Sequence, residues 1–265
     1  MKHELRLFLI ALQFFTRIPV PSWVGWQAQW LNASARYFPL VGMLVGSVGA
    51  VSLALAAQVW PWPVAVLLSM AATIVLTGAF HEDGFADTCD GLGGAVSRER
   101  ALEIMKDSRL GTYGVTGLGL MLLLKGATLT QMSLGTACLA LPLAHCVSRA
   151  VAVCLIRWLP YAGDPDHSKI KPMPGHMTRA GWLVAMAWTA LLLAGCAWLT
   201  PDLGGAPGGL AGAARLGLAG AAAALVLWRA GVLFRRRLGG VTGDCLGAAQ
   251  QASELAFYLG LLATA

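Results

Sequence analysis

Seven stretches of the chain are apolar over about the twenty residues that a helix needs to cross the hydrocarbon core of a bilayer. They run approximately over 37–58, 61–80, 111–132, 134–158, 181–200, 208–234 and 245–264. In lipid every backbone N–H and C=O must be bonded internally, so such a chain can form helices or a closed barrel and little else. The period-two alternation of barrel strands is absent. What remains is an all-α fold, a polytopic integral membrane helical bundle of about seven transmembrane helices. Composition agrees, with 57% hydrophobic and 12% charged residues, where soluble domains run at about 45–50% and about 25%. The same numbers exclude disorder. The 32 glycines show no G-X-Y period and instead suit close helix packing.

The whole of 1–265 reads as a single integral membrane domain. Residues 5–21 (LRLFLIALQFFTRIPVP) are apolar but short and interrupted by Gln13 and Arg17, so 1–36 reads as an N-terminal interfacial segment. A cleaved signal peptide, with Lys2 and Arg6 as its basic region, is the competing reading. Its apolar run is short and its small-residue site lies far downstream, which disfavours cleavage. Between the first two spans, Val59-Trp60-Pro61-Trp62-Pro63 reads as a short interfacial turn of tryptophans and helix-stopping prolines.

Basic residues mark one face. Sixteen of the 19 fall in four groups: Lys2, Arg6, Arg17, Arg36; Arg98, Arg100, Lys106, Arg109; Arg157, Lys169, Lys171, Arg179; and Arg229, Arg235, Arg236, Arg237. The alternate connections, near 59–62, 132–135 and 201–208, hold none. By the excess of Lys and Arg in cytoplasmic loops, all four groups are cytoplasmic, the N-terminus is inside, and the C-terminus after a seventh span is outside. The net charge of +6 is therefore mostly topology. The six cysteines form no C-x-x-C pair and no disulfide framework, and mostly sit in apolar spans as small hydrophobes.

The acids are distributed differently. Seven of 13 lie between 82 and 107: Glu82, Asp83, Asp87, Asp90, Glu99, Glu103 and Asp107. This makes 81–110 an acidic cytoplasmic segment. In HEDGFADTCDG (81–91), Asp83, Asp87 and Asp90 stand at i, i+4 and i+7, which on a helix is one face. Carboxylates this close repel unless a cation sits among them. Oxygen-only ligands suit Mg²⁺ or Mn²⁺; grouped Cys and His for zinc are lacking, and the spacing is not that of a calcium-binding hand. A merely solvated helix end would favour Lys or Arg four residues away, and 81–97 contains none.

Gly91, Gly93 and Gly94 follow, where backbone N–H groups would approach phosphate oxygens. In MKDSRLGTYG (105–114), Lys106 and Arg109 would hold phosphate, and Asp107 would add a ligand or a base. In GGVTGDCLGA (239–248), Asp244 is a further boundary carboxylate, and Glu254 lies two turns deeper as a functional group or a partner for Arg149 or Arg215. Arg149, inside the fourth span beside Ser148 and His145, is either paired or binds an anion. The loop 160–179, with His167, Lys169, Lys171 and His176 among prolines, reads as a cover for the site or as a basic tether. Acids that collect Mg²⁺ beside bases that collect phosphate imply phosphoryl or nucleotidyl transfer, without a nucleophile triad.

These motifs, together with SRA (148–150), PYAGD (160–164), FFTRIPVP (14–21) and ARYFPLVG (35–42), resemble the cobalamin-5′-phosphate synthase (adenosylcobinamide-GDP ribazoletransferase) family along essentially the whole chain. The resemblance implies a Mg²⁺-dependent transferase of the cell inner membrane, its active site facing the cytoplasm. It would join adenosylcobinamide-GDP to α-ribazole or α-ribazole 5′-phosphate with release of GMP. The ribazole 3′-hydroxyl would attack the phosphorus on the cobinamide arm, and a metal held by Asp83, Asp87 and Asp90 would bridge the diphosphate. Residues and resemblance together nominate Asp83, Asp87, Asp90, Asp107 and Asp244 as catalytic. They nominate Lys106, Arg109, Arg149, Gly91 and Gly93 for phosphate, and Glu82, Asp83, Asp87 and Asp90 for metal. Partners would be the small-molecule substrates and membrane lipid, with no nucleic acid; a homo-oligomer is compatible. A CDP-alcohol phosphotransferase of phospholipid type is the alternative, although Asp87-Thr88 replaces the Ala-Arg pair of that motif and its x8-G spacing fails. A transporter or channel is a third class, disfavoured because most acids cluster at one face rather than near the centres of several spans.

Overall fold

The computed structural model describes residues 2–95, 97–163, 177–199 and 212–263. The site cover expected around His167, Lys169, Lys171 and His176 therefore lies outside the described residues, as does the connection at 201–208. Among the described residues the chain is helical, apart from short 3-10 turns and one isolated bridge between Tyr161 and Val241. In chain order the helices are α1 (Lys2–Phe15), α2 (Ala28–Ser34), α3 (Phe38–Ala56), α4 (Trp62–Thr77), α5 (Phe80–Gly94), α6 (Arg98–Met105) and α7 (Thr112–Thr130). They continue with α8 (Leu134–Trp158), α9 (Arg179–Leu199), α10 (Gly212–Leu238) and α11 (Gly243–Leu262).

Among the described residues, each apolar stretch seen in the sequence is helical over most of its length. Five are long and apolar enough to cross a membrane unaided: the α2–α3 segment, α7, α8, α9 and α10. The stretch at 61–80 departs from expectation, because α4 ends at Thr77 and passes into α5 through a bend of 89°, so the two qualify only as a broken pair. The stretch at 245–264 forms α11, which falls short of the apolarity needed because it carries Gln250, Gln251 and Glu254. All three side chains are buried inside the bundle, which explains how a helix this polar holds its place. Pro61 and Pro63 open α4, where a proline's missing N–H costs nothing. Trp62 between them donates its indole N–H to the Thr130 carbonyl at the end of α7 (3.0 Å).

At the centre stands α8, with 89% of its most apolar window buried, against 17% for α9 and α10. Close approach to α3 is made by small residues four apart. A Cβ at Gly42 would stand 2.8 Å from the carbonyl carbon of His145, and one at Gly46 would stand 2.7 Å from that of Leu141. Outer helices turn large apolar side chains outward, among them Leu55, Leu123, Leu191 and Leu225, as lipid-facing surfaces must.

Two arginines close one end of the bundle. Arg98 donates to the carbonyls of Leu238 (2.7 Å) and Ala162 (3.3 Å). Arg237 donates to those of Leu92 (3.2 Å) and Ala95 (2.7 Å) at the end of α5. Cations at helix C-termini satisfy orphan carbonyls and oppose the helix dipole. Here they also tie α5, α6, α8 and α10 to a single end, the end that carries the acids.

Candidate active site

The acidic helix begins at a backbone corner. Gly78 (φ 68°) and Ala79 (φ 58°) are both left-handed, and for a non-glycine residue this conformation costs about 1 kcal/mol or more. The corner is held from outside by Arg17, whose backbone N–H donates to the Leu76 carbonyl (2.8 Å). A Cβ at Gly78 would lie 2.6 Å from the Arg17 Nε. Two left-handed residues in succession turn the chain out of α4 and aim the first turn of α5.

On α5, successive residues rotate by about 100°. Taking Gly84 as reference, Phe80, Asp87 and Asp83 fall at about 40°, 60° and 100° to one side of it. Asp83 is exposed and Asp87 is half-buried. Gly84 is where α11 arrives: a Cβ there would stand 2.9 Å from the Asp244 Cα and 3.1 Å from its carbonyl oxygen. Gly247, one turn further on, meets the backbone of His81 and Gly84 in the same way. The α11 N-terminus is built by Thr242, whose hydroxyl accepts from the Cys245 N–H (3.2 Å). Asp244 occupies the first turn, where a carboxylate complements the helix dipole. The crossing thus sets the Asp244 backbone against α5, beside the side of the helix that carries Asp83 and Asp87.

The remaining nominated residues are placed elsewhere. Asp90 is buried and accepts the backbone N–H groups of Gly111 (2.7 Å) and Gly114 (2.8 Å), capping the first turn of α7. The glycines of GTYG are required because a side chain at either would collide with that carboxylate. Gly91 and Gly93 correct the reading of a phosphate-cradling loop. Both lie within α5, where backbone N–H groups serve the helix ladder. Their missing side chains admit Met105 (2.6 Å to its Cγ from a built Cβ) and Tyr113 (2.7 Å to its Cδ1).

Asp107, Lys106 and Arg109 sit on the exposed connection between α6 and α7. Arg109 grips Asp107 with its Nε (3.0 Å), its Nη2 (2.6 Å) and its own backbone N–H (3.0 Å). That grip pushes the Asp107 carboxyl down to about 2, which makes it a weak base near neutrality.

Glu82 points away from the Asp83 face and accepts from the Gln251 amide (2.9 Å), so the four acids from Glu82 to Asp90 do not form one ligand set. Arg149 has no exposed surface and lines a small internal cavity with Phe80, Gly243 and Gly247. Its Nη1 donates to the His145 carbonyl (3.0 Å), and its guanidinium lies 5.4 Å from the Phe15 ring centroid.

Glu82 and Arg149 belong instead to a buried polar web that reading the sequence did not assemble. Lys125 on α7 meets Glu254 on α11 (2.9 Å) and the Gln251 Oε1 (2.7 Å). Gln250 bridges Glu254 (2.7 Å) and Ser148 (3.0 Å), while His145 (3.4 Å) and Tyr258 (3.3 Å) complete the carboxylate's surroundings. Glu254 thereby has Lys125 as an ion-pair partner, a residue that the sequence did not nominate for it. The signal was present in Gln250 and Glu254 at i and i+4 within an apolar stretch, and in a lone mid-span lysine.

Among the described residues, no group of three His, Cys, Asp or Glu side chains is poised to hold a metal ion as it stands. Mg²⁺ seldom requires one, since it keeps several waters and is commonly held by one or two carboxylates plus substrate phosphates. Asp83 and Asp87, one helical turn apart with only oxygen donors, fit that mode.

The family model described as cobalamin-5-phosphate synthase matches residues 7–262. A Leptothrix cholodnii protein named adenosylcobinamide-GDP ribazoletransferase is 60% identical over 264 residues, covering 98% of this chain and 96% of its own. Proteins of the same name from Polaromonas sp. and Vibrio cholerae are 44% and 41% identical, covering 97% and 99% of this chain and 96% and 95% of theirs. No solved structure gives a significant match. With a whole-chain match and relatives this similar, the chain belongs to the cobalamin-5-phosphate synthase family.

Proposed function

We propose that this protein joins adenosylcobinamide-GDP to α-ribazole, or to α-ribazole 5′-phosphate, releasing GMP and yielding adenosylcobalamin or its 5′-phosphate. The observation that carries the chemistry is the Gly84 crossing, which gathers Asp83, Asp87 and Asp244 at one end of the bundle. The substrates follow from the names of relatives matched along nearly the whole chain. Those matches do not favour the phospholipid-type alternative.

In this reading the ribazole 3′-hydroxyl attacks the cobinamide-bound phosphorus. The new P–O bond forms as the bond to the bridging diphosphate oxygen breaks, and GMP leaves with that oxygen. A carboxylate of the crossing accepts the hydroxyl proton. Asp83 and Asp87, together with the substrate diphosphate, would hold Mg²⁺, which would supply neutralisation of the charge on the leaving group. Lys106, exposed on the α6–α7 connection, is the cation of that motif suited to the nucleotide phosphates, while Arg109 holds Asp107. Orientation in the inner membrane with this end facing the cytoplasm is supported by the four basic groups, which all fall on the same side of the predicted spans.

The test is GMP release by the purified protein in lipid from adenosylcobinamide-GDP, α-ribazole and Mg²⁺. Turnover that vanishes on chelation and in Asp83→Asn is expected. A folded wild-type protein that releases no GMP overturns the proposal.

A further inference from the structure

The first residue of α5, Phe80, reaches a cleft that the reaction above does not by itself assign. Phe80 lies on the same side of α5 as Asp83 and Asp87 and forms one wall of a cavity of about 700 Å³. The opposite walls come from the N-terminal segment: Gln13 and Phe14 on α1, and Ser22 and Trp26 on the chain that follows. Gly25, left-handed at φ 60°, turns the backbone so that Trp26 closes the cleft. This wall has its own foundation, a small hydrophobic cluster of Ile10, Val24 and Leu31 separate from the main core. Phe14 and Phe80 meet edge to face at 5.4 Å, and Trp26 is 57% exposed. An aromatic surface this open, beside a phosphoryl-transfer centre, suits a planar base that stacks.

Of the two bases that the proposed reaction brings to the site, guanine presents three acceptors (O6, N7 and N3) and two donor groups (N1–H and the 2-amino group) along its edges. The cleft's polar side chains are an amide and a hydroxyl, Gln13 and Ser22. A benzimidazole nucleoside presents a single ring-nitrogen acceptor, which one amide N–H satisfies. We propose that the cleft between α1, Trp26 and Phe80 binds the benzimidazole base of the ribazole substrate, stacked on these aromatics with Gln13 donating to its free ring nitrogen. Its ribose is then directed toward the Asp83 and Asp87 face, three residues along α5. This inference rests on the proposed reaction for its ligand, but not for the cleft.

The experiment uses the full chain in lipid nanodiscs, with Trp26→Ala, Trp26→Phe and Gln13→Leu; Trp26 and Gln13 are both exposed, so the fold is retained. Equilibrium dialysis with labelled α-ribazole measures binding alone, and steady-state kinetics give KM for each substrate. Loss of one stacking partner weakens binding roughly 5- to 150-fold. Trp26→Ala is expected to raise both Kd and KM for α-ribazole by at least about 5-fold, with KM for adenosylcobinamide-GDP unchanged and Trp26→Phe restoring most of the loss. Gln13→Leu is expected to raise the same constants. Unchanged α-ribazole affinity in Trp26→Ala and Gln13→Leu overturns the proposal, as does a rise in KM for adenosylcobinamide-GDP instead. If wild-type protein binds α-ribazole through Trp26 yet releases no GMP, the cleft stands and the proposed reaction falls. If it releases GMP with a Trp26-independent affinity, the reverse holds.

Discussion

Asp90 distinguishes a structural carboxylate from a catalytic one. Its two oxygens accept the N–H groups of Gly111 and Gly114 at 2.7 and 2.8 Å, and its relative exposure is 8%. Replacing an ordinary N-cap with alanine costs about 0.5–2 kcal/mol, while hydrogen bonds to charged groups contribute about 1.5–3 kcal/mol each. With two such bonds in a buried setting, Asp90→Ala should destabilise the protein by about 2–4 kcal/mol. Asp90→Asn keeps one acceptor oxygen and should lose about half of that. The assay is denaturant or thermal unfolding in detergent, followed by GMP release measured on the fraction that remains folded. Residual activity per folded molecule should survive in Asp90→Asn. The reasoning fails if Asp90→Asn unfolds like wild type but loses turnover completely, because Asp90 would then be a reacting group and not a cap.

Three further outcomes follow from the same geometry. Lys125→Met leaves Glu254 charged inside the bundle and should cost about 3 kcal/mol or more, whereas Lys125→Met/Glu254→Gln should recover part of the loss in the same unfolding assay; a double variant as unstable as the sum of both singles would contradict the pair. Gly84→Ala forces α5 off Asp244 and should cost about 1–3 kcal/mol together with a loss of GMP release, while a variant of wild-type activity would show that the crossing is not needed. Asp107 titrates at about 2, below its ordinary 3.8, so its contribution to stability is complete above about pH 4 and is lost as the pH falls toward 2. The acidic limb of the pH–activity profile between pH 5 and 8 should therefore be the same in wild type and Asp107→Asn, and a shifted limb would make Asp107 the titrating base.

The helices were legible because lipid imposes one rule on all of them. A run of apolar residues near twenty long must be helical, and among the described residues six of the seven runs are each built around one helix, the stretch at 61–80 being broken at its end. The α4–α5 corner escaped the rule because its signal is conformational: Ala79 is an ordinary apolar residue until its φ of 58° is known. For the acids, a helical repeat gives only angular position. Asp90 shares the face of Asp83 on a wheel, yet α7 approaches just there and takes its carboxylate as a cap. Glycines misled in the same way. Gly91 and Gly93 admit Met105 and Tyr113, and nothing local separates that use from phosphate binding. Arg98 and Arg237 read as topology markers, although they also bond the ends of helices distant in sequence. The buried web around Glu254 unites α5, α7, α8 and α11, so it emerges only once these helices pack.

GMP release by Asp83→Asn and Asp87→Asn tests the proposed carboxylate site most directly. Asp83 is exposed and Asp87 half-buried, so both variants should fold and keep the unfolding midpoint of wild type. In the proposed reaction each of these carboxylates would hold Mg²⁺ at the diphosphate, and its removal would forfeit several kcal/mol of transition-state stabilisation, on the order of 10³-fold in rate. Each variant is expected to release GMP at no more than about a thousandth of the wild-type rate at saturating Mg²⁺. Folded Asp83→Asn and Asp87→Asn proteins turning over at the wild-type rate would contradict it.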